Sequence, residues 1–130
     1  MTRMKEFIPK TMFDLESTDK LKHLFKPLSS EEVTCLLEWM QDMHWPVSHP
    51  ISNYFYTRVG TIHQELEVVF QGQDNEWKWN LMKFLILGNP NFRANEKLLT
   101  IFHRIRDNPT PDEKVEELDE LCREYLSSVT

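Results

Sequence analysis

Asp42, His44 and His49 are the residues of this sequence whose types and spacing come nearest to a metal-binding or hydrolytic site. Histidine nitrogens and carboxylate oxygens are common ligands of catalytic zinc. A helix does not bring residues five positions apart onto one face, so one helix cannot pair His44 with His49. No further His or Cys pair completes a four-ligand set. We therefore expect no metal and no cofactor, and we assign these side chains capping or hydrogen-bonding roles.

Neither cysteine has the sequence signature of a catalytic nucleophile. Cys35 falls within a helical pattern beside apolar neighbours, where a thiol is usually a small core residue. Cys35 and Cys122 are the only two cysteines and lie far apart, which fits reduced, packed thiols better than a disulfide framework. Gly60, Gly72 and Gly88 each stand alone at an expected helix end, so no glycine-rich loop is available to hold a phosphate. These patterns predict a protein that is not an enzyme.

The four tryptophans are the residues most typical of a binding surface. Tryptophan is enriched in binding hot spots, but it also fills cores and hairpin corners in helical repeats. Trp45 and Trp77 stand near expected helix starts, which favours core packing, whereas Trp39 and Trp79 fit either role. The candidate interaction surface combines aromatic and polar side chains: Trp39, Asp42, His44, Trp45, His49 and Trp79.

The charge of the chain limits the class of partner. A net charge of -6 opposes general binding to nucleic acid or to anionic membranes. Arg93, Lys97, Arg104 and Arg106 form only a modest basic cluster. The acidic residues near the C-terminus could serve as a docking face, although a solvated outer face is the commoner meaning of such a series: Asp112, Glu113, Glu116, Glu117, Asp119, Glu120 and Glu124. We expect no nucleic acid, no membrane and a protein partner that is basic or neutral.

Composition predicts a globular protein of the cytoplasm. Apolar residues make up 40% of the chain and charged residues 28%, which is ordinary globular usage. No apolar run approaches the roughly 20 residues of a membrane helix. Residues 1–10 have no apolar stretch of the signal-peptide kind.

Apolar residues recur at three- and four-residue steps along most of the chain, and no stretch alternates with a period of two. This pattern predicts an all-α fold of about seven helices in stacked antiparallel pairs. The helices are predicted over 17–25, 30–43, 46–59, 61–70, 75–87, 98–105 and 110–128. Their expected N-caps include Ser17 or Thr18, Ser29 or Ser30, and Asp74 or Asn75. On size, 1–130 is one domain, with an N-terminal cap (1–28), stacked hairpins (29–106) and an acidic C-terminal helix (110–128).

The segment from Leu36 to Pro50 joins two of these helices and carries most of the candidate surface. Trp45 and Pro46 interrupt the apolar pattern, and Pro46 is predicted to open the next helix because proline fits a first turn. Pro50 predicts either a bent first turn or a helix that begins only near Pro50. The helix over 75–87 is apolar on almost every side, which predicts a central position.

Four strings of the sequence resemble a bacterial family of domains of unknown function, which carries the serial label five-zero-seven-one. They are IPKTMFD (Ile8 to Asp14), LLEWMQDMHWPVSHPI (Leu36 to Ile51), DNEWKW (Asp74 to Trp79) and NPTPDEKVEELDE (Asn108 to Glu120). The resemblance implies a compact HEAT-like or armadillo-like helical fold and no established activity. The family's usual asparagine is replaced by His44, and its usual tyrosine by Trp79. The first change affects the predicted helix start, because asparagine caps helices better than histidine does.

Three functional hypotheses follow from these patterns. The first is a non-enzymatic protein-interaction module, in one version an immunity-type or adaptor protein with a basic partner. The alternative is a small metal-dependent or hydrolytic enzyme that uses Asp42, His44 and His49, which requires those side chains to converge in one cleft. The third is an architectural subunit, which requires a sizeable exposed apolar patch. The oligomeric state stays open.

Overall fold

The chain folds into α-helices joined by short turns, and a computed structural model describes residues 6–129. Within that range there are eight α-helices: α1 (Leu15–Leu21), α2 (Ser30–Leu37), α3 (Ser48–Tyr56), α4 (His63–Phe70), α5 (Asn75–Leu81), α6 (Glu96–Asp107), α7 (Pro111–Val115) and α8 (Leu118–Ser128). Single turns of 3-10 helix (Glu38–Met40 and Val59–Thr61) and of π-helix (Met82–Ile86) extend or connect them. The described residues contain no β-strand, which confirms the predicted all-α class. The HEAT-like stacking stays a prediction.

No helix within residues 6–129 combines the length and the apolar character that crossing a bilayer demands.

The first helix begins and ends earlier than the sequence predicts. Asp14 caps α1, because its carboxylate accepts hydrogen bonds from the Ser17 N–H (3.3 Å) and the Ser17 hydroxyl (2.7 Å). The predicted caps, Ser17 and Thr18, instead lie buried inside the helix. The helix ends at the fully buried Leu21 and does not reach Phe25, which is 97% exposed. The apolar pattern over 17–25 therefore predicts the end of the helix too late in the chain, because its last aromatic residue is not part of a buried face.

The second helix starts where the sequence predicts but ends early. The Ser29 hydroxyl accepts from the Glu32 N–H (3.1 Å), and the Glu32 carboxylate accepts from the Ser29 N–H (2.8 Å). This capping box confirms Ser29 as the N-cap. Regular α-helix stops at Leu37 and a 3-10 turn continues it to Met40, short of the predicted end at Met43. The cause is the capture of its last carbonyl groups by side chains from other helices, described below.

The third helix begins at Ser48, so the prediction that Pro46 opens it is wrong. Pro46 lies in the preceding turn. Pro50 occupies the first turn of α3. N–H groups in a first turn have no partner inside the helix, so the missing N–H of proline costs little there. Helix α3 begins two residues before Pro50, which agrees with the second of the two alternatives, a helix that begins only near Pro50.

The hydrophobic core surrounds α5 and the π turn that follows it. The side chains of Leu81 and Met82 are fully buried there, which confirms the expected central position of this segment. Helix α6 packs along α8. Aromatic rings join the neighbouring helices edge to face, with Phe70 and Phe102 5.2 Å apart and Phe102 and Tyr125 5.5 Å apart between centroids. The described residues thus share one continuous core.

The C-terminal region forms two helices, so the single helix predicted over 110–128 is wrong. Glu117, between α7 and α8, has the left-handed conformation φ 60°, ψ 27°. A right-handed helix cannot continue through such a residue. As a result Val115 is 78% exposed and does not share a buried face with Leu118 and Cys122.

Glu113 corrects the interpretation of the acidic residues as a uniformly solvated face, because its side chain is only 3% exposed. Its carboxylate accepts two hydrogen bonds from the Arg104 guanidinium (2.5 and 2.8 Å) and one from the Thr110 N–H (2.8 Å). The ammonium of the buried Lys78 lies 3.6 Å away. The carboxylate thereby ties α7 to α6 and α5.

We call Glu113, Arg104 and Lys78 the Glu113 cluster. Burial and neighbouring charges shift the pKa values of its two buried members, Glu113 and Lys78, for different reasons. Burial alone would raise the pKa of Glu113, but the hydrogen bonds from Arg104 and Thr110 outweigh it and hold the pKa at about 2. Burial lowers the pKa of Lys78 by more than the neighbouring Glu113 raises it. Arg104 is therefore the main counter-ion of Glu113, and Lys78 is a secondary one.

The protein is expected to lose stability in acid when the Glu113 carboxylate becomes protonated. Its folded pKa of about 2 lies below its ordinary 4.5, so its contribution is complete above pH 4.5 and disappears as the pH falls towards 2. The difference corresponds to about 3 kcal/mol in the free energy of unfolding. Urea unfolding at about pH 6 and about pH 3 should show a much smaller pH dependence for Glu113→Gln than for the wild type. Equal losses in both proteins would contradict this account.

Replacing Glu117 by glycine is expected to stabilise the protein. Glycine adopts the left-handed conformation without the steric conflict of a Cβ atom, so Glu117→Gly should raise the free energy of unfolding by about 1 kcal/mol. The matched control is Glu117→Gln, which removes the charge but keeps the Cβ atom. Thermal unfolding should show an increase for the glycine variant and little change for the glutamine variant. A lower melting temperature for Glu117→Gly would show that this residue is not strained.

Candidate interaction surface

The end of α2 is held by two side chains of α5. The Trp77 indole N–H donates to the Leu37 carbonyl at 2.9 Å. The amide of Asn80, which is 5% exposed, donates to the carbonyls of Met40 (2.8 Å) and Gln41 (3.2 Å). The last carbonyls of a helix have no partner inside it, and a buried unpaired carbonyl costs about 1–3 kcal/mol. These contacts fix where α2 ends and hold the following turn against α5.

Ser48, at the start of α3, holds the same turn from the other side. Its side chain is fully buried, and its hydroxyl lies within hydrogen-bond distance of the Trp39 carbonyl and, at 2.8 Å, of the Asp42 carbonyl. The Trp45 N–H also donates to the Asp42 carbonyl at 3.2 Å. We call the segment 37–48 the platform. Its irregular backbone is fixed by buried polar side chains on both sides.

The platform presents two of the predicted tryptophans together. The rings of Trp39 and Trp45 meet edge to face, with centroids 5.5 Å apart and an interplanar angle of 72°. Both rings pack against the core but remain partly exposed. Trp77 is likewise half-buried, and its indole N–H is engaged with the end of α2. Trp39 and Trp45 are therefore available at the surface, whereas Trp77 has a structural hydrogen bond.

Asp42 and His44 form a hydrogen-bonded pair on the platform. The Asp42 carboxylate accepts from the His44 N–H at 2.9 Å, and the same oxygen lies 3.1 Å from His44 Nδ1. The hydrogen bond from the His44 backbone is the main cause that lowers the pKa of Asp42. The His44 side chain is 98% exposed. The predicted hydrogen-bonding role thus holds for this pair.

An open groove of about 670 Å³ lies between the platform and the C-terminal helices. The platform and α3 contribute Met43, His44 and His49 to its lining. Helix α5, the π turn and the α7–α8 turn contribute Glu76, Trp79, Asn80, Phe84 and Glu116. The groove brings together three of the predicted surface residues, His44, His49 and Trp79. The other three, Trp39, Asp42 and Trp45, do not line it.

His49 and Trp79 each have a ring contact in the groove. The His49 ring meets Phe84 edge to face, with centroids 6.1 Å apart. The Lys83 ammonium lies 5.7 Å from the centroid of the Trp79 ring, within the range of a cation–π interaction. One wall of the groove is therefore aromatic, and the Trp79 ring in it has a cation nearby.

The sequence reasoning missed Asn80 and Glu76, and it considered Glu116 only as one member of the acidic series near the C-terminus. Asn80 had a usable signal, because a lone amide in a strongly apolar helix must find buried partners. Glu76 and Glu116 had none, because exposed glutamates in first turns and helix ends are common. Their convergence depends on the break at Glu117, which no proline or glycine marks in the sequence.

The two cysteine thiols lie in surroundings that disfavour their ionised form. Burial raises the pKa of the Cys122 thiol to about 12, and burial together with nearby glutamates raises the pKa of Cys35. Both thiols therefore stay protonated near neutral pH. Within residues 6–129 no group of three or more His, Cys, Asp or Glu side chains is arranged to hold a metal ion.

The chain was compared with known proteins and protein families. No curated protein is similar enough to this chain to count as a match. The model of one family, described as Domain of unknown function (DUF5071), matches residues 7–126. That match covers nearly the whole chain and includes the platform, the groove and the Glu113 cluster. The chain therefore belongs to the DUF5071 family of domains of unknown function.

Proposed function

We propose that this protein is a non-enzymatic protein-interaction module that binds a basic partner, as an adaptor or immunity-type protein of the bacterial cytoplasm. The observation that supports it is the platform over 37–48. Its backbone is held by hydrogen bonds from the half-buried Trp77 and the buried Asn80 and Ser48, while Trp39 and Trp45 remain partly exposed. The proposal includes the HEAT-like or armadillo-like arrangement that the family resemblance implies.

A rigid platform favours binding because it limits the entropy lost on association. Ordering a mobile side chain or loop at an interface costs about 0.5–1.5 kcal/mol for each immobilised side chain. The paired rings of Trp39 and Trp45 are already held against each other, so little ordering remains. Tryptophan is also among the residue types that contribute most to binding hot spots.

The charge of the chain favours a basic partner. The net charge is -6, and complementary charge accelerates the encounter of two proteins. On the platform, the Asp42 carboxylate is ionised at neutral pH like any ordinary aspartate, and the hydrogen bond from the His44 N–H lowers its pKa further. Glu76 and Glu116 add two further carboxylates to the adjoining groove.

The geometry supports the enzyme alternative less well. Asp42 and His44 are hydrogen-bonded, and His49 shares the groove with His44. However, the His44 side chain is 98% exposed, and a general base or nucleophile usually works in a site that excludes water. An exposed Asp–His pair beside an open groove fits binding better than catalysis.

A capture experiment tests this proposal. The tagged protein is used to isolate binding proteins from a lysate of the organism that makes it, at low and at high salt. We expect Trp45→Ala and Trp79→Ala to lose a specific partner that the wild type retains, with affinity reduced by about 30-fold for a hot-spot residue. We expect high salt to weaken capture by the wild type.

The matched control for this experiment is Phe25→Ala, because Phe25 is an exposed aromatic residue outside the platform and the groove. It should capture the partner as the wild type does. Thermal unfolding of each variant separates lost binding from lost folding. Retention of the same partner by folded Trp45→Ala and Trp79→Ala, or no specific partner at either salt, would contradict the proposed function.

A further inference from the structure

Two carboxylates from different elements line the groove. Glu76 lies in the first turn of α5, and Glu116 lies in the turn between α7 and α8. Among the residues that the structure describes, neither carboxylate has a hydrogen-bond or ion-pair partner. The buried carboxylate of Glu113, by contrast, is fully engaged by Arg104 and its neighbours. The groove therefore carries negative charge that the fold does not neutralise.

The rest of the groove suits the apolar part of a long cationic side chain. Trp79, Phe84 and Met43 supply its apolar surface. The Lys83 ammonium, 5.7 Å from the Trp79 ring centroid, already places one cation near the indole. Long basic side chains bury their methylene groups along apolar surfaces and keep the charged head near carboxylates.

From this combination we infer that the groove is a receptor for an arginine side chain in a basic segment of the partner protein. The guanidinium would stack on Trp79 and pair with Glu76 and Glu116. The inference rests on the proposed function, because it names how that partner is recognised. The volume of about 670 Å³ falls within the usual range of binding pockets and leaves room for the flanking peptide.

Arginine fits this groove better than other ligand classes. Its planar guanidinium can stack on an aromatic ring and form paired hydrogen bonds with carboxylates, which the compact ammonium of lysine does less well. An anion would be repelled by Glu76 and Glu116. An uncharged apolar ligand would bury both carboxylates without a partner, which is unfavourable.

A second groove of about 480 Å³ has a different balance of charges. Its lining includes the cations Arg58 and Lys26 together with Glu65. The Arg58 guanidinium already lies 4.0 Å from the centroid of the Tyr54 ring. In that groove two cations face a single carboxylate, so it lacks the excess of negative charge that would attract a partner's arginine.

Titration with a defined peptide tests the inference directly. The probe is a short glycine-flanked peptide with two arginines, and its control replaces both arginines by citrulline, which has a similar shape but no charge. Binding is followed by tryptophan fluorescence and calorimetry with the full chain at low salt. We expect saturable binding of the arginine peptide, weaker binding of the lysine version and none of the citrulline version.

Charge-removing substitutions locate the binding site. We expect the double variant Glu76→Gln/Glu116→Gln to bind the arginine peptide about tenfold more weakly. The matched control, Glu16→Gln/Glu31→Gln, removes the same charge from exposed residues of α1 and α2 outside the groove and should bind as the wild type does. Circular dichroism confirms that each variant is folded.

The outcomes separate this inference from the proposed function. No saturable binding at millimolar arginine peptide, or equal binding by both double variants, would overturn the inference. If Glu76→Gln/Glu116→Gln still captures the partner found with the wild type, the groove is not the recognition site, although the proposed function stands. If the peptide binds as expected but no partner is captured, the arginine site stands and the proposed function fails.

Discussion

The capture of main-chain carbonyls at the end of α2 is the interaction on which the rest of this structure depends. Five carbonyls between residues 37 and 42 lie within hydrogen-bond distance of a side-chain donor of Trp77, Asn80 or Ser48, and two of them share the single Ser48 hydroxyl. A buried carbonyl without a donor costs about 1–3 kcal/mol, so an irregular turn at this place is stable only with these partners. Because the donors belong to α3 and α5, the same contacts that end α2 also hold these two helices against it.

The fold uses the same principle elsewhere. Asn89 is 6% exposed, and its amide donates to the carbonyls of Tyr56 and Leu85, at the ends of α3 and of the π turn. Buried polar side chains thus end helices that the apolar pattern alone would extend. The candidate binding surface consists of side chains that take no part in these helix-ending hydrogen bonds: Trp39 and Trp45 on the platform, and the unpaired carboxylates in the groove.

Helix starts and stops that depend only on residues close together in the chain could be predicted from the sequence. The N-caps at Ser29 and Asp74, each one of two predicted candidates, and the stop at Gly88, which has φ 71°, are local and carry recognisable residue types. The break at Glu117 could not be predicted, because glutamate is not typical of the left-handed conformation. The groove could not be predicted either, because it depends on contacts of Asn80 with residues about 40 positions earlier.

Native-state hydrogen exchange of the platform amides tests this account most directly. The N–H groups of Gln41, Trp45 and Ser48 donate within the platform, to Glu38, Asp42 and Trp45 respectively. If buried side chains hold this backbone rigid, these amides should exchange about 100-fold or more slowly than those of an unstructured chain, in spite of their irregular conformation. Exchange as fast as in an exposed, unstructured peptide would show that the platform is not preorganised and would contradict the account.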